Sequence, residues 1–215
     1  MNKGKNANTL GIAVSIIGAS VMVGWVTDIT LLKSILPIWV TMKFSTALSF
    51  FLSGITLICI NTSTLKGKVY TQIVLPITTL TILLLMTTLL ASVFLGMRTG
   101  IEDLFVSETE GAIKSTTPGR PSVGTMINFI LIGVAGILTM LNIQTLRAAL
   151  FFIGTVVGFL GAVAIVGYLI KVPPFYYAIE GFSSAMAFHT AILFVMMGAG
   201  LVSTSSAITD TKKSF

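Results

Sequence analysis

The chain has 215 residues, 54% of them apolar and only 9% charged, with a formal net charge of +6. A soluble domain carries about 25% charged residues, so this composition cannot cover a water-facing surface and the bilayer must act as its solvent. The positive charge does not mark a nucleic-acid binder, because no basic run or aromatic-interleaved basic patch occurs. The lone Cys59 excludes an intrachain disulfide.

Six apolar segments follow in chain order: Leu10–Ile29, Phe44–Ile60, Thr71–Leu95, Thr125–Leu141, Leu146–Ile170 and Met186–Val202. A spanning helix needs about 20 residues, within a range of about 17–25, and each segment fits. In hydrocarbon every backbone amide must be bonded within its own segment, so runs of this length must be helical. Barrel strands would be about half as long and would alternate polar with apolar residues. Lys3 and Lys5 precede the first segment as they would in a signal peptide, but its apolar core exceeds the usual length of about 7–15 residues, so it is read as a span.

The connections differ in character. Thr30–Lys43 is itself apolar and is expected to lie along the membrane surface or dip into it, with Trp39 at the interfacial belt. Met97–Gly124 is the longest and holds Arg98, four acids, Lys114 and Arg120. A structureless connection of about that length is often functional. Lys171–Ala185 holds Pro173-Pro174-Phe175-Tyr176-Tyr177 and Glu180, while Asn61–Tyr70 and Asn142–Thr145 are short links that favour antiparallel neighbours.

One motif, Thr-x3-Phe-x3-Gly, opens every second segment: Thr46/Phe50/Gly54, Thr125/Phe129/Gly133 and Thr190/Phe194/Gly198. A four-residue spacing puts the three residues on one helix face. Four residues ahead of each Thr stands Met42, Pro121 or Met186, and the preceding segments end alike at Gly24-Trp25, Gly96-Met97 and Gly167-Tyr168. The pattern predicts an all-α polytopic membrane protein whose six transmembrane helices form three parallel-related helical hairpin repeats, about 10–60, 71–141 and 146–202, followed by a polar cytoplasmic tail over 203–215.

Charge sets the expected orientation. With six spans, one side holds Lys3, Lys5, Lys66, Lys68, Arg147, Lys212 and Lys213 against Asp210 alone. The other holds Lys33, Lys43, Arg98, Lys114, Arg120 and Lys171 against six acids. The unopposed cations and short links place both termini in the cytoplasm, in the cell membrane.

The motif Thr can cap its helix by accepting a hydrogen bond from a free amide, or can bond a carbonyl of the preceding turn. Phe supplies bulk, and Gly allows close helix approach. Two readings stay open: packing alone, or a Thr46/Thr125/Thr190 ring lining a pocket at outer-leaflet level. Gly154, Gly158 and Gly161 make a GxxxG-type surface, and the hydroxyls of the second and third segments can bond within their own helices.

His189 is the single His and stands where the other copies have Ser45 and Gly124. An ionisable group at a membrane boundary is a candidate ligand contact or proton sensor, or else a hydrogen-bonded cap of the sixth helix. Lys43, Arg120, Asn128 and Glu180 complete the candidate ligand-binding set, with Arg120 and Glu180 as a conceivable ion pair. The residues imply no cofactor or metal, with haem or quinone near His189 as the alternative, and no catalytic residues.

Trp25-x7-Lys33-Ser-x-Leu-Pro37 and Met42-Lys43-x2-Thr46-Ala-Leu-x-Phe50-x-Leu-x-Gly54, with Pro118-Gly-Arg120-Pro-Ser-x2-Thr125 and Ala185-Met-Ala-x-His189-Thr190-Ala, resemble the N-terminal multi-helix membrane region of bacterial and archaeal sensor proteins. In those proteins the membrane module precedes PAS, histidine-kinase or diguanylate-cyclase output domains. The resemblance covers residues 10–202, and the second copy departs most, with Met126-Ile127-Asn128 where Ala-Leu-x is usual. It implies signal reception within the membrane. Because no output domain follows the sixth segment, the chain is expected to be a sensory region of a longer protein or a stand-alone relative acting through a cytoplasmic partner. Lipid, such a partner or fused output domain, and a second copy in a homodimer are the expected associates.

Three functions are therefore carried forward. The first is a sensory or regulatory module that binds a small or lipophilic ligand and signals through its sixth helix. The others are a small transporter or channel, disfavoured by the near absence of mid-membrane charge, and an accessory subunit of a membrane redox complex. No nucleophile–base pair or phosphate loop points to an enzyme.

Overall fold

The computed structural model describes residues 3–36, 39–66, 69–104, 106, 108, 117–176 and 183–212. Helix makes up 77% of the structure, and no strand occurs among the described residues. The helices are α1 (Lys3–Val26), the short α2 (Thr30–Lys33), α3 (Phe44–Lys66), α4 (Thr71–Phe94), α5 (Val123–Met140), α6 (Leu146–Leu169) and α7 (Phe188–Lys212). All but α2 are long and apolar enough to cross a membrane. The protein is a helical multi-pass membrane protein.

Two boundaries differ from the apolar pattern. Helix α1 starts at Lys3, ahead of Leu10, and α7 runs on through Lys212, so the polar stretch after Val202 is helical as far as that residue. Polar contacts explain both extensions. The Asn61 amide on α3 donates to the Gly4 carbonyl (2.9 Å) and to Asn8 Oδ1 (2.7 Å) on α1. On α7, Thr204 bonds back to Gly200 O (3.1 Å) and Ser205 reaches Arg147 O (2.9 Å). These bonds gather the start of α1 and the ends of α3 and α7 at one end of the bundle, here called the proximal end. The motif residues lie towards the other, distal end.

The hairpin partners α1–α3, α4–α5 and α6–α7 pack most extensively, and α3–α4, α5–α6 and α1–α7 contacts close the ring. Buried residues fill 67, 50 and 56% of the apolar windows of α3, α5 and α7, against 28, 33 and 33% in α1, α4 and α6. The motif-bearing helices are therefore the inner ones. At 18 residues, α5 spans only about 27 Å, slightly under the hydrocarbon thickness of about 30 Å.

Glycine sets the spacing of two hairpins. A Cβ at Gly11 would stand 2.8 Å from Gly54 O, and one at Gly18 would stand 2.8 Å from Ala47 O. The α6–α7 pair repeats this, with Gly154 against Gly198 O (2.8 Å) and Gly161 against Ala191 O (2.6 Å). Helix α4 has no glycine, and α5 meets it through side chains instead, Gly133 against Leu83 and Gly136 against Thr79. Lipid tails are as apolar as the helices, so this close approach, rather than hydrophobic exclusion, holds the pairs together.

The hydroxyls divide as well. Thr81, Thr87 and Thr88 on exposed parts of α4 bond carbonyls four residues back. Thr56 and Thr78 make the same back-bonds and in addition join α3 to α4 at 2.8 Å.

The GxxxG-type surface of α6 is unequal in its two ends. A methyl at Gly154 meets backbone, whereas the nearest atom to one at Gly158 is 3.6 Å away. Gly154→Ala is expected to lower the Tm of the purified protein by several degrees. Gly158→Ala should leave it unchanged or raise it slightly, because Ala favours helix over Gly by about 1 kcal/mol. Equal effects of the two substitutions would show that the α6–α7 approach is not as close as described.

Candidate functional site

The motif Thr is the third residue of its helix in α3, α5 and α7 alike. It is therefore not the cap. In α5 the cap is Ser122, whose hydroxyl accepts from Thr125 N at 3.1 Å and pairs with the Thr125 hydroxyl at 2.7 Å. The sequence signal for this cap, Ser two residues before a Gly-Thr pair, is visible only once the helix start is fixed. Thr46, Thr125 and Thr190 are all buried.

One turn further in, the motif Phe residues meet. The ring centroids of Phe50, Phe129 and Phe194 lie 4.7, 4.8 and 5.0 Å apart in tilted and edge-on pairs. All three side chains are fully buried. Aromatic pairs in this geometry gain about 0.5–1.5 kcal/mol beyond area burial.

The distal layer is clasped to the inner helices by main-chain carbonyls. Trp25 Nε1, at the end of α1, donates to Met42 O at 2.8 Å, and Tyr168 OH, at the end of α6, donates to Met186 O at 2.8 Å. At the end of α4 the residue in this position is Met97, which has no side-chain donor. There the bond is reversed, and Arg120 donates to Met97 O at 2.8 Å. The interfacial Trp39 packs on Tyr168 and Phe188 with centroids 5.4 and 4.7 Å away.

Two buried carboxylates complete the layer. Glu108 receives Lys43 Nζ at 2.5 and 2.6 Å, Gly119 N at 2.8 Å and Thr41 Oγ1 at 3.2 Å. Glu102 receives Arg120 at 2.8 Å, Thr99 Oγ1 at 3.0 Å and Ser92 Oγ at 3.3 Å. Gly119 adopts φ +73°, and a Cβ there would collide with the Glu102 carbonyl. The turn before α5 thus seats both clusters, and the long second connection contains a 3-10 turn, Ile101–Asp103, that presents Glu102.

Arg120 pairs with Glu102, which becomes available when the connection folds back across α4. Glu180 and Pro37 lie outside the described residues. Lys43 is engaged with Glu108 and is not a free cation.

Two candidate groups remain distinct. Asn128 is fully buried, and among the described residues neither its nitrogen nor its oxygen has a partner. On the same terms His189 Nε2 is buried without a partner, as are the hydroxyls of Ser49, Ser53 and Thr79. Buried polar atoms in native proteins are almost always bonded, and an exception points to function or to a bound molecule. A hydroxyl can rotate onto its own helix backbone. The Asn amide, with two donors and two acceptor lone pairs, cannot be satisfied so easily.

A cavity of about 270 Å³ lies in this layer, between the start of α5 and the end of α6. Its walls include Ser122, Gly124, Leu160, Phe175, Tyr176 and Met186. Gly124 stands where the other copies carry Ser45 and His189, and the nearest atom to a Cβ built there is Met186 Cε at 3.5 Å. No motif Thr, nor His189, lines this cavity or those of about 400 and 370 Å³ elsewhere on the described residues. Beneath the Thr residues the axis is filled by the Phe cluster.

Compared with protein-family models, with curated proteins and with solved structures, the chain matches none.

Removing one partner of a buried ion pair costs about 3–5 kcal/mol, because the other charge stays buried. Lys43→Met is expected to destabilise on that scale, and adding Glu108→Leu should recover much of the loss. A double variant as unstable as the sum of the singles would exclude the coupling. Glu102 gives a pH dependence. Burial pushes its pKa up, but hydrogen bonds from Arg120, the backbone and Thr99, with the Arg120 charge, outweigh burial and hold it below the usual 4.5. A depressed carboxylate stabilises the fold above 4.5, and that contribution disappears as pH falls through the folded-state value. Tm measured against pH should show wild type converging on Glu102→Gln only below that point.

Proposed function

We propose that the protein is a non-enzymatic sensory or regulatory module of the cell membrane, with cytoplasmic termini, that binds a lipophilic ligand in the distal cavity and signals through α7. The observation that carries this reading is the cavity at Gly124 and its link to α7. Two of its wall residues, Tyr176 and Met186, are joined by the Met186 N–H donating to Tyr176 O at 2.9 Å. Met186 also accepts from Tyr168 and lies just ahead of α7. A molecule that parts Gly124 from Met186 would strain these bonds and shift the start of α7, whose other end reaches Lys212 at the proximal end. The mainly apolar lining, with the Ser122 hydroxyl at its edge, suits a ligand with one hydrogen-bonding group on an apolar body.

The same reading takes the six spans as three parallel-related hairpin repeats. Support comes from the three equivalent Thr positions, the Phe cluster and the three clasps at Met42, Met97 and Met186. On this view the second and third copies are separated by an empty equivalent of Ser45 and His189, and that gap is the ligand site. The resemblance to sensor membrane regions supports an output domain or cytoplasmic partner next to α7. A channel along the axis is opposed by the Phe50–Phe129–Phe194 cluster.

Photolabelling of the protein in nanodiscs with a diazirine fatty alcohol tests the proposal. Labels are expected on Leu160, Tyr176 or Met186 and should be lost in Gly124→Phe, which fills the cavity. Labelling spread evenly over the lipid-facing helices, unchanged by Gly124→Phe, would reject it. One observation favours the redox-subunit alternative, namely the buried unpartnered His189 Nε2. A Soret band after haem addition that is lost in His189→Ala would move the assignment there.

A further inference from the structure

A second cavity, of about 400 Å³, opens at the proximal end, where α3 and α5 finish and α4 and α6 begin. Its volume falls within the range of about 300–1,000 Å³ typical of small-molecule sites. Six of its lining residues carry hydrogen-bonding side chains: Ser63, Thr64, Thr71, Gln72, Thr139 and Asn142. No charged side chain is among the described residues that line it. The distal cavity, in contrast, is walled mainly by apolar and aromatic groups.

The backbone contributes a further acceptor. Pro76 lies inside α4 and lines the cavity. It has no N–H, so the carbonyl four residues earlier, that of Gln72, loses its helical donor. Gln72 lines the same cavity. Helix α5 also ends at this rim, where Leu141 N–H donates to Ile137 O at 2.9 Å and Asn142 N–H to Thr139 O at 3.1 Å. The polar lining continues inward. One turn deeper, the fully buried Thr79 packs against Gly136 with its hydroxyl unpartnered.

We propose that this cavity binds an uncharged polyhydroxyl group, the sugar or glycerol headgroup of a lipid or a free polyol. Each hydroxyl both donates and accepts, so it can satisfy the freed Gln72 carbonyl and the side-chain amides together. Among the described lining residues none offers a charge to pair with a bare ionic group, whose burial is costly. Depth agrees with a headgroup. The apolar span of α3 ends at Thr64 and that of α5 at Met140, while those of α4 and α6 begin at Thr71 and Leu146, so the cavity sits at the hydrocarbon boundary. The site is separate from the distal cavity and does not depend on the sensory reading.

The test uses the full chain in phosphatidylcholine nanodiscs, with monoglucosyl diacylglycerol in the bilayer or methyl glucoside in solution. Binding to the folded state raises Tm by mass action, and a rise of about 5 °C is expected near saturation. A rise with the glycolipid alone identifies a lipid headgroup. A rise with methyl glucoside identifies a free polyol. In either case the rise should fall by more than half in Gln72→Leu/Thr139→Val. It should fall likewise in Pro76→Ala, which restores a helical donor and so keeps α4 intact. No rise with either probe, or a rise that persists in both variants, overturns the proposal.

Discussion

Three phenylalanine rings, one from each inner helix, meet within the bundle at centroid separations of 4.7–5.0 Å, and most of the architecture is arranged around that contact. In lipid no hydrophobic force separates helix from solvent, so specific packing must fix where the helices stand. The rings fix α3, α5 and α7 at a common depth. One turn towards the distal end they place the motif Thr residues side by side, and one turn further in they place the motif glycines. Of these, Gly54 and Gly198 face the glycines of α1 and α6, while Gly133 takes a leucine. The outer helices can approach closely because the inner ones are already aligned.

That alignment leaves the two proposed ligand sites at the periphery. The two cavities with proposed ligands lie off the Phe-filled axis, at opposite ends of seams between hairpins. The distal one exists because Gly124 supplies no side chain where its equivalents supply Ser45 and His189. The proximal one lies beside Pro76 of α4, where α3 and α5 end and α4 and α6 begin. Buried ion pairs occupy the remaining distal polarity. Lys43 and Arg120 look like ligand-binding cations in sequence, but Glu108 and Glu102 take them up. They tie the long second connection to the starts of α3 and α5, so a change in that cap would be felt by the inner helices directly.

Much of this was legible beforehand for definite reasons. The motif spacing put Thr, Phe and Gly on one face, and that face proved to be the buried one. The matching helix ends at Trp25, Met97 and Tyr168 and the residues four before each Thr were visible as a pattern, and the hydrogen bonds that join them give the pattern its physical meaning. Other features were not legible. Ser122 as the α5 cap depended on the helix start, and the extension of α7 past Val202 depended on Asn61 and Arg147, which are distant in sequence.

The sequence by itself determined that the chain is an all-helical membrane protein of six spans, because the length of an apolar run and the need to satisfy every amide in hydrocarbon are local properties. It also determined which face of each inner helix is buried, since helical periodicity is local too. Only the tertiary structure decided that Arg120 meets Glu102, that the Phe residues fill the axis, and that open space lies beside Gly124 and Pro76. Each of these depends on side chains from several helices competing for one volume, and no single segment encodes the outcome of that competition.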